Sequence, residues 1–172
     1  MTEPQYDVLV NYDFISLALV QKDTHAFNQL ILKVPSGTHK IAFENGVTSV
    51  NKLQPKLLAN DRMAARIEHL QEELQELTDA YAQGNGPEVV DGLIDTIYIA
   101  LGTLSEMHVD ASRAFKAVHE ANMRKVNGKV AKRPNAGEHD AVKPEGWTPP
   151  DIAGAIGWVD EEPATEEAEK ED

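Results

Sequence analysis

Between residues 60 and 104 the apolar positions follow a helical period with little interruption. Met63, Ile67, Leu70, Leu74, Leu77 and Tyr81 recur at alternating steps of four and three, which lays one apolar stripe along a helix. Asn60 and Asp61 are both acceptable caps for its start, and Gly84, Asn85 and Gly86 stop it. Pro87 then stands where a first-turn proline is tolerated. Val89, Val90, Leu93, Ile94, Ile97, Leu101 and Leu104 continue a second helix, apolar around much of its circumference and therefore expected at the centre of the molecule. After a loop at residues 108–110, a third helix is expected over 111–127 with Phe115, Val118 and Ala121 or Asn122 facing inward. Short loops between amphipathic helices make antiparallel neighbours. The fold class read from this pattern is all-α, an antiparallel helical bundle.

The flanks are less regular. Residues 14–20 are an apolar run that suits strand or helix, and Asp23 or Thr24 would cap a helix over 24–33 that ends before Pro35. Ser36 with Gly37, Asn45 with Gly46, and the alternation around Ile41 and Phe43 suit a small hairpin equally well. The organisation expected is an irregular N-terminal segment, 1–58, that reads a ligand or oligomerises, a helical core, 59–152, and a tail, 153–172.

Charge sharpens the picture of the tail. The chain has 172 residues and a formal net charge of −13, and residues 160–172 alone hold eight acids and one lysine. A segment that charged and that poor in aromatics is expected to be disordered. An acidic chain without a basic run is a poor partner for nucleic-acid backbone or an anionic membrane. With no cysteine, disulfides, zinc–thiolate sites and iron–sulfur clusters are excluded. No signal-peptide pattern and no membrane-length apolar run is legible, so a cytoplasmic location is expected.

Two lines of acids flank the apolar stripes. Glu73 and Glu76 edge the first helix, with His69 beside them and Glu72 further out, and Glu88, Asp91 and Asp95 edge the second. Antiparallel packing through the stripes would face these edges across one groove. Glu73, Glu76, Asp91 and Asp95 have no basic residue three or four positions on, so local pairing does not neutralise them. Carboxylates sharing a groove raise one another's pKa unless a cation sits between them, and oxygen-only ligands suit Mg²⁺ or Mn²⁺. On the third helix Asn122 takes a place where an apolar residue is expected, with His119 and Lys125 three residues to either side. Lys129, Lys132 and Arg133 follow. Carboxylates on one side and Lys and Asn on the other describe a polyphosphate site.

At this point the residues resemble a known family. Glu72, Glu73 and Glu76, then Asp91 and Asp95, are similar to the EExxE … ExxD signature of the all-α NTP pyrophosphatases, which include MazG, the dimeric dUTPases and phosphoribosyl-ATP pyrophosphohydrolase. Gly102 and Thr103, the run from Val118 to Lys125, and the run from Lys143 through Trp147 to Ile152 resemble its phage-type members. The resemblance implies a homodimer or homotetramer that cleaves a nucleoside triphosphate to monophosphate and pyrophosphate with Mg²⁺ or Mn²⁺. Its setting would be nucleotide-pool metabolism in the cytoplasm, the host's for a phage-encoded chain. By position, Glu73 and Glu76 match the ExxE metal ligands and Asp95 the Asp of ExxD, while the Glu of ExxD falls on Gly92. Asp91 is its expected substitute, with Glu88 in reserve.

Glu72 or a ligand carboxylate such as Glu76 would take the proton from the attacking water. Asn122, Lys125, His119, Lys129 and Lys132 would contact the phosphates. The substrate expected is a purine nucleotide, with (d)GTP suggested by relatives that serve 2-aminoadenine-containing genomes. Asn28 would either read a base edge through its amide or serve a structural role, the second being preferred although it is kept as a candidate contact. Trp147 would either stack on a base or pin its own segment to the bundle, the second being preferred. The competing class is a non-enzymatic helical oligomerisation or antitoxin-like module. A ferritin-like di-iron reading fails because no Glu has a His three residues later, and a P-loop fails because no G-x-x-x-x-G-K-[ST] occurs.

Overall fold

The computed structural model describes residues 17–128 and 140–160. Helix α1 (Leu17–Leu30) leads into a hairpin of β1 (His39–Glu44) and β2 (Val47–Lys52). Then come α2 (Asn60–Ala82), α3 (Gly86–Glu106) and α4 (Ala111–Met123), a short pair of β3 (Val126–Gly128) and β4 (Asp140–Val142), and α5 (Ile152–Ile156). The described residues are mostly helical, but two antiparallel two-stranded pairs correct the all-α expectation. The hairpin forms because Asn45 and Gly46 take positive φ, 52° and 78°, the pairing of left-handed residues that a two-residue hairpin turn demands. It sets Ile41 opposite Val50 and Phe43 opposite Thr48. The third helix stops at Met123, short of 127, because residues 126–128 leave it to pair with β4.

Helix α2 and helix α3 pack along their length through the tight turn at residues 83–85, where the Asn85 side chain accepts a hydrogen bond from the Glu88 amide. Their far ends are joined by a buried ionic cluster. Arg62 donates two hydrogen bonds to the Glu106 carboxylate, at 2.8 and 2.7 Å. Arg66 donates to Thr103 Oγ1 and to the Ile99 carbonyl, with Glu106 3.7 Å away. Glu106 and Arg66 are only 4% and 5% exposed. Burial pushes the Arg66 guanidinium down from its ordinary value against the pull of Glu106, whereas the hydrogen bonds to Glu106 raise Arg62. Gly102 leaves room for this cluster, since a Cβ there would stand 2.7 Å from Arg66 Nη2.

Helix α1 begins at Leu17, and both Asp23 and Thr24 lie inside it instead of capping it. Thr24 Oγ1 donates to the Gln21 carbonyl. Its buried face is polar: Gln21, Thr24 and Asn28 turn inward. Gln21 donates to the Val109 carbonyl at 2.7 Å and accepts from the Ala111 amide at 3.0 Å, and Asn28 donates to the Gly102 carbonyl at 2.9 Å. The helix thus docks by satisfying backbone groups at the end of α3 and the start of α4, where Asp110 caps α4 by accepting from the Ser112 and Arg113 amides.

The apolar stripes are only partly covered. Ile67, Leu74 and Tyr81 of α2 and Val90, Leu93, Ile94 and Ile97 of α3 all remain exposed. Helix α3 is therefore not central within one chain, and Phe115, Val118 and Asn122 of α4 are exposed, not inward, while Ala121 is buried. Helix α5 straddles the 152/153 boundary drawn from composition. The acidic run beyond residue 160, and residues 14–16 of the apolar run at 14–20, lie outside the described residues, while residues 17–20 of that run are helical in α1. No helix among the described residues is long and apolar enough to cross a membrane.

Candidate active site

Antiparallel packing of α2 on α3 brings the two acidic edges together. The Glu73 carboxyl is held above its ordinary value, first by partial burial and then by the negative charges of Asp95, Glu76, Asp91 and Glu72, in that order. A helix pair that crossed in another register would not couple these residues. Nearer the turn, Glu76 and Asp91 line a cleft of about 260 Å³ together with Asp79, Gln83, Asn85 and Glu88. Among the described residues no three His, Cys, Asp or Glu side chains stand in a geometry that would hold an ion as they are placed. The donor set nevertheless fits a hard divalent cation: carboxylate oxygens only, with one carboxyl destabilised in its charged form by the others.

Gly92 is buried, and a Cβ on it would meet Leu77 Cβ at 3.2 Å. This position faces the helix–helix contact, so the absent glutamate has no room there, while Asp91 beside it opens on the cleft. Glu88 lines the same cleft one turn earlier. Asp79, not among the residues expected at the site from the sequence, also lines the cleft and accepts from Gln75 Nε2. The signal that would have found it is its place three residues after Glu76, on the same helix face. Glu72 is exposed beside Glu73.

On α4, His119 stacks on Phe115 with ring centroids 6.4 Å apart, and both side chains are exposed. Lys125 lies just past the helix end, where its Nζ stands 5.7 Å from the Trp147 ring centre, with Lys143 Nζ at 4.5 Å. Trp147 Nε1 donates to the Ala121 carbonyl at 2.8 Å, the pinning role preferred above. Lys129 and Lys132 lie outside the described residues. Asn28 is corrected: at 1% exposure, with its amide donating to Gly102, it has no edge open to a base.

Residues 44–122 match the family model of phosphoribosyl-ATP pyrophosphohydrolase. That family belongs to the MazG-like all-α NTP pyrophosphatase superfamily. The match runs from the end of β1 into α4 and takes in every acidic residue of the site together with Asn122. Members of this pyrophosphatase family act on nucleotide phosphoanhydride bonds and the superfamily is generally dependent on divalent metals, so the non-enzymatic module is set aside. No curated protein matches the chain.

Proposed function

We propose that this pyrophosphatase domain hydrolyses a nucleoside triphosphate to the monophosphate and pyrophosphate. The observation that carries the reading is the coupling of Glu73 to Glu76, Asp91 and Asp95 across the α2–α3 pair. These four residues would hold Mg²⁺ or Mn²⁺, which when bound offsets triphosphate charge and makes a water more acidic. Glu72, exposed at the margin, or Glu76 accepts the proton of the water that attacks the α-phosphorus in line. Asn122 and Lys125 orient and neutralise the departing pyrophosphate, with His119, Lys129 and Lys132 supporting them. The substrate class is a purine nucleotide, (d)GTP first, in a phage-type nucleotide-pool role in the host cytoplasm.

The site works in a homodimer or homotetramer in this reading. What supports it is the row of exposed apolar residues on α2 and α3, which a second copy would cover at roughly 25 cal/mol per Å² of apolar surface. The deciding experiment is phosphate release from the eight common NTPs and dNTPs with Mg²⁺ or Mn²⁺, with and without added inorganic pyrophosphatase. Phosphate that appears only with the pyrophosphatase demonstrates α–β cleavage. Phosphate released without it, or silence across the panel, rejects the reading.

A further inference from the structure

Away from the carboxylates, a cavity of about 310 Å³ opens between α1, residues 37–39 and the C-terminal end of α3. Ser105 on its wall stands ten residues beyond Asp95 on α3, about 15 Å along the axis at 1.5 Å per residue. The Ser105 hydroxyl is buried, with the residue 1% exposed, and finds no hydrogen-bond partner among the described residues. A buried hydroxyl without a partner carries a desolvation cost that a ligand oxygen would remove.

Several other wall residues can donate hydrogen bonds. Lys22, His25 and His39 line it. The His25 ring is fixed, since its Nδ1 lies 2.7 Å from Ser36 Oγ. Gly37, at φ 98°, passes so closely over this ring that a Cβ would stand 2.7 Å from its Cε1. The Gly37 amide is tied to the Ser105 carbonyl at 2.8 Å, which locks residues 36–38 to α3. One acid, Asp110, also lines the cavity, but one of its oxygens accepts the Ser112 and Arg113 amides at the start of α4. Two imidazoles and one ammonium around a hydroxyl without a partner offer the donors that a phosphate group requires.

We infer that this cavity binds a single phosphate group, free or as a monoester, through Lys22, His25, His39 and the Ser105 hydroxyl, separately from the carboxylate site. The inference does not rest on the proposed hydrolysis. The test uses the full chain in EDTA, where the uncompensated carboxylates repel anions, and titrates inorganic phosphate and, in a second arm, a nucleoside monophosphate. Histidine side-chain NMR reads the response. Saturable shifts at His25 and His39, with His69 and His119 unmoved, are expected with at least one of the two. Phosphate alone sufficing identifies the free ion, and a response only to the monoester identifies that form. Lys22→Glu, at an exposed helix position, should weaken binding about tenfold or more, and Ser105→Ala should weaken it too while the helix is kept. No saturable shift with either probe, or equal binding by both variants and the wild type, overturns the inference.

Discussion

A Cβ added to Gly92 would stand 3.2 Å from the Cβ of Leu77, so the glycine lets α3 pack tightly on α2 beside the acidic cluster. Restoring a glutamate at the position where the family signature has one should therefore fail to help. Gly92→Glu is expected to lower stability by about 1–3 kcal/mol through overpacking and to reduce turnover, whereas Asp91→Ala reduces turnover with the fold retained. Steady-state pyrophosphate release and circular dichroism on the two variants check this. A more active Gly92→Glu variant would contradict the packing argument.

Alanine at Glu73 or Asp95 should cost at least about 100-fold in turnover while leaving the helical circular dichroism unchanged. Near-normal activity in either variant would refute the ligand assignment.

The repulsion on Glu73 has a signature in stability as well. Its carboxyl, raised in the fold, binds a proton more readily there than in the unfolded chain. The native state therefore gains stability as pH falls toward the carboxylate range and bears the repulsion at neutral pH. Because the side chain is partly solvated, the effect is small. Glu73→Gln should raise the metal-free melting temperature at pH 7, by less than ~4 °C. Mg²⁺ or Mn²⁺ should raise it in the wild type and lose much of that effect in the variant. Thermal melts with EDTA and with added metal measure both.

The buried cluster at the opposite end of the helix pair should be worth far more than a surface pair. Glu106→Gln leaves two guanidinium groups uncompensated and is expected to cost about 3–5 kcal/mol. Glu120→Gln, at the exposed 3.8 Å contact with Lys116, should cost less than about 0.5 kcal/mol. Urea unfolding of the two variants gives the comparison.

Trp147→Phe removes the Nε1 hydrogen bond to Ala121 and keeps an aromatic face for Lys125 and Lys143. A loss of about 1 kcal/mol in stability is expected, with KM nearly unchanged. A tenfold rise in KM without destabilisation would instead place the ring on the substrate.

The long helices and their acidic edges were legible because helical period is a local property: residues three and four apart share a face whatever the rest of the chain does. The caps were less legible: Asn85 and Asp110, read only as a helix stop and a loop residue, cap α3 and α4, whereas Asn60 and Asp61 lie inside α2, which starts without a side-chain cap. Helix α1 was misjudged at its start, since its inward face is Gln21, Thr24 and Asn28 while Leu19, Leu30 and Ile31 are exposed. A rule that seeks an apolar inward stripe cannot find a helix that docks by supplying hydrogen bonds to another helix's backbone. The same limit hid Arg62, Arg66 and Glu106, whose spacing of up to 44 residues carries no periodic signal.

By itself, then, the order of residues determined which stretches become α2, α3 and α4, which acids lie on one edge of each, and the family the chain resembles. Only the tertiary structure decided which of those acids meet. It did so through the register of α2 against α3, set at one end by the bare Gly92–Leu77 contact and at the other by the buried Arg62–Glu106 pair. It also decided that Asn28 is a packing residue and that the Ser105 hydroxyl finds no partner among the described residues, at a cavity lined by Lys22, His25 and His39. Both outcomes depend on contacts between distant segments, whose energies do not exist until those segments are brought together.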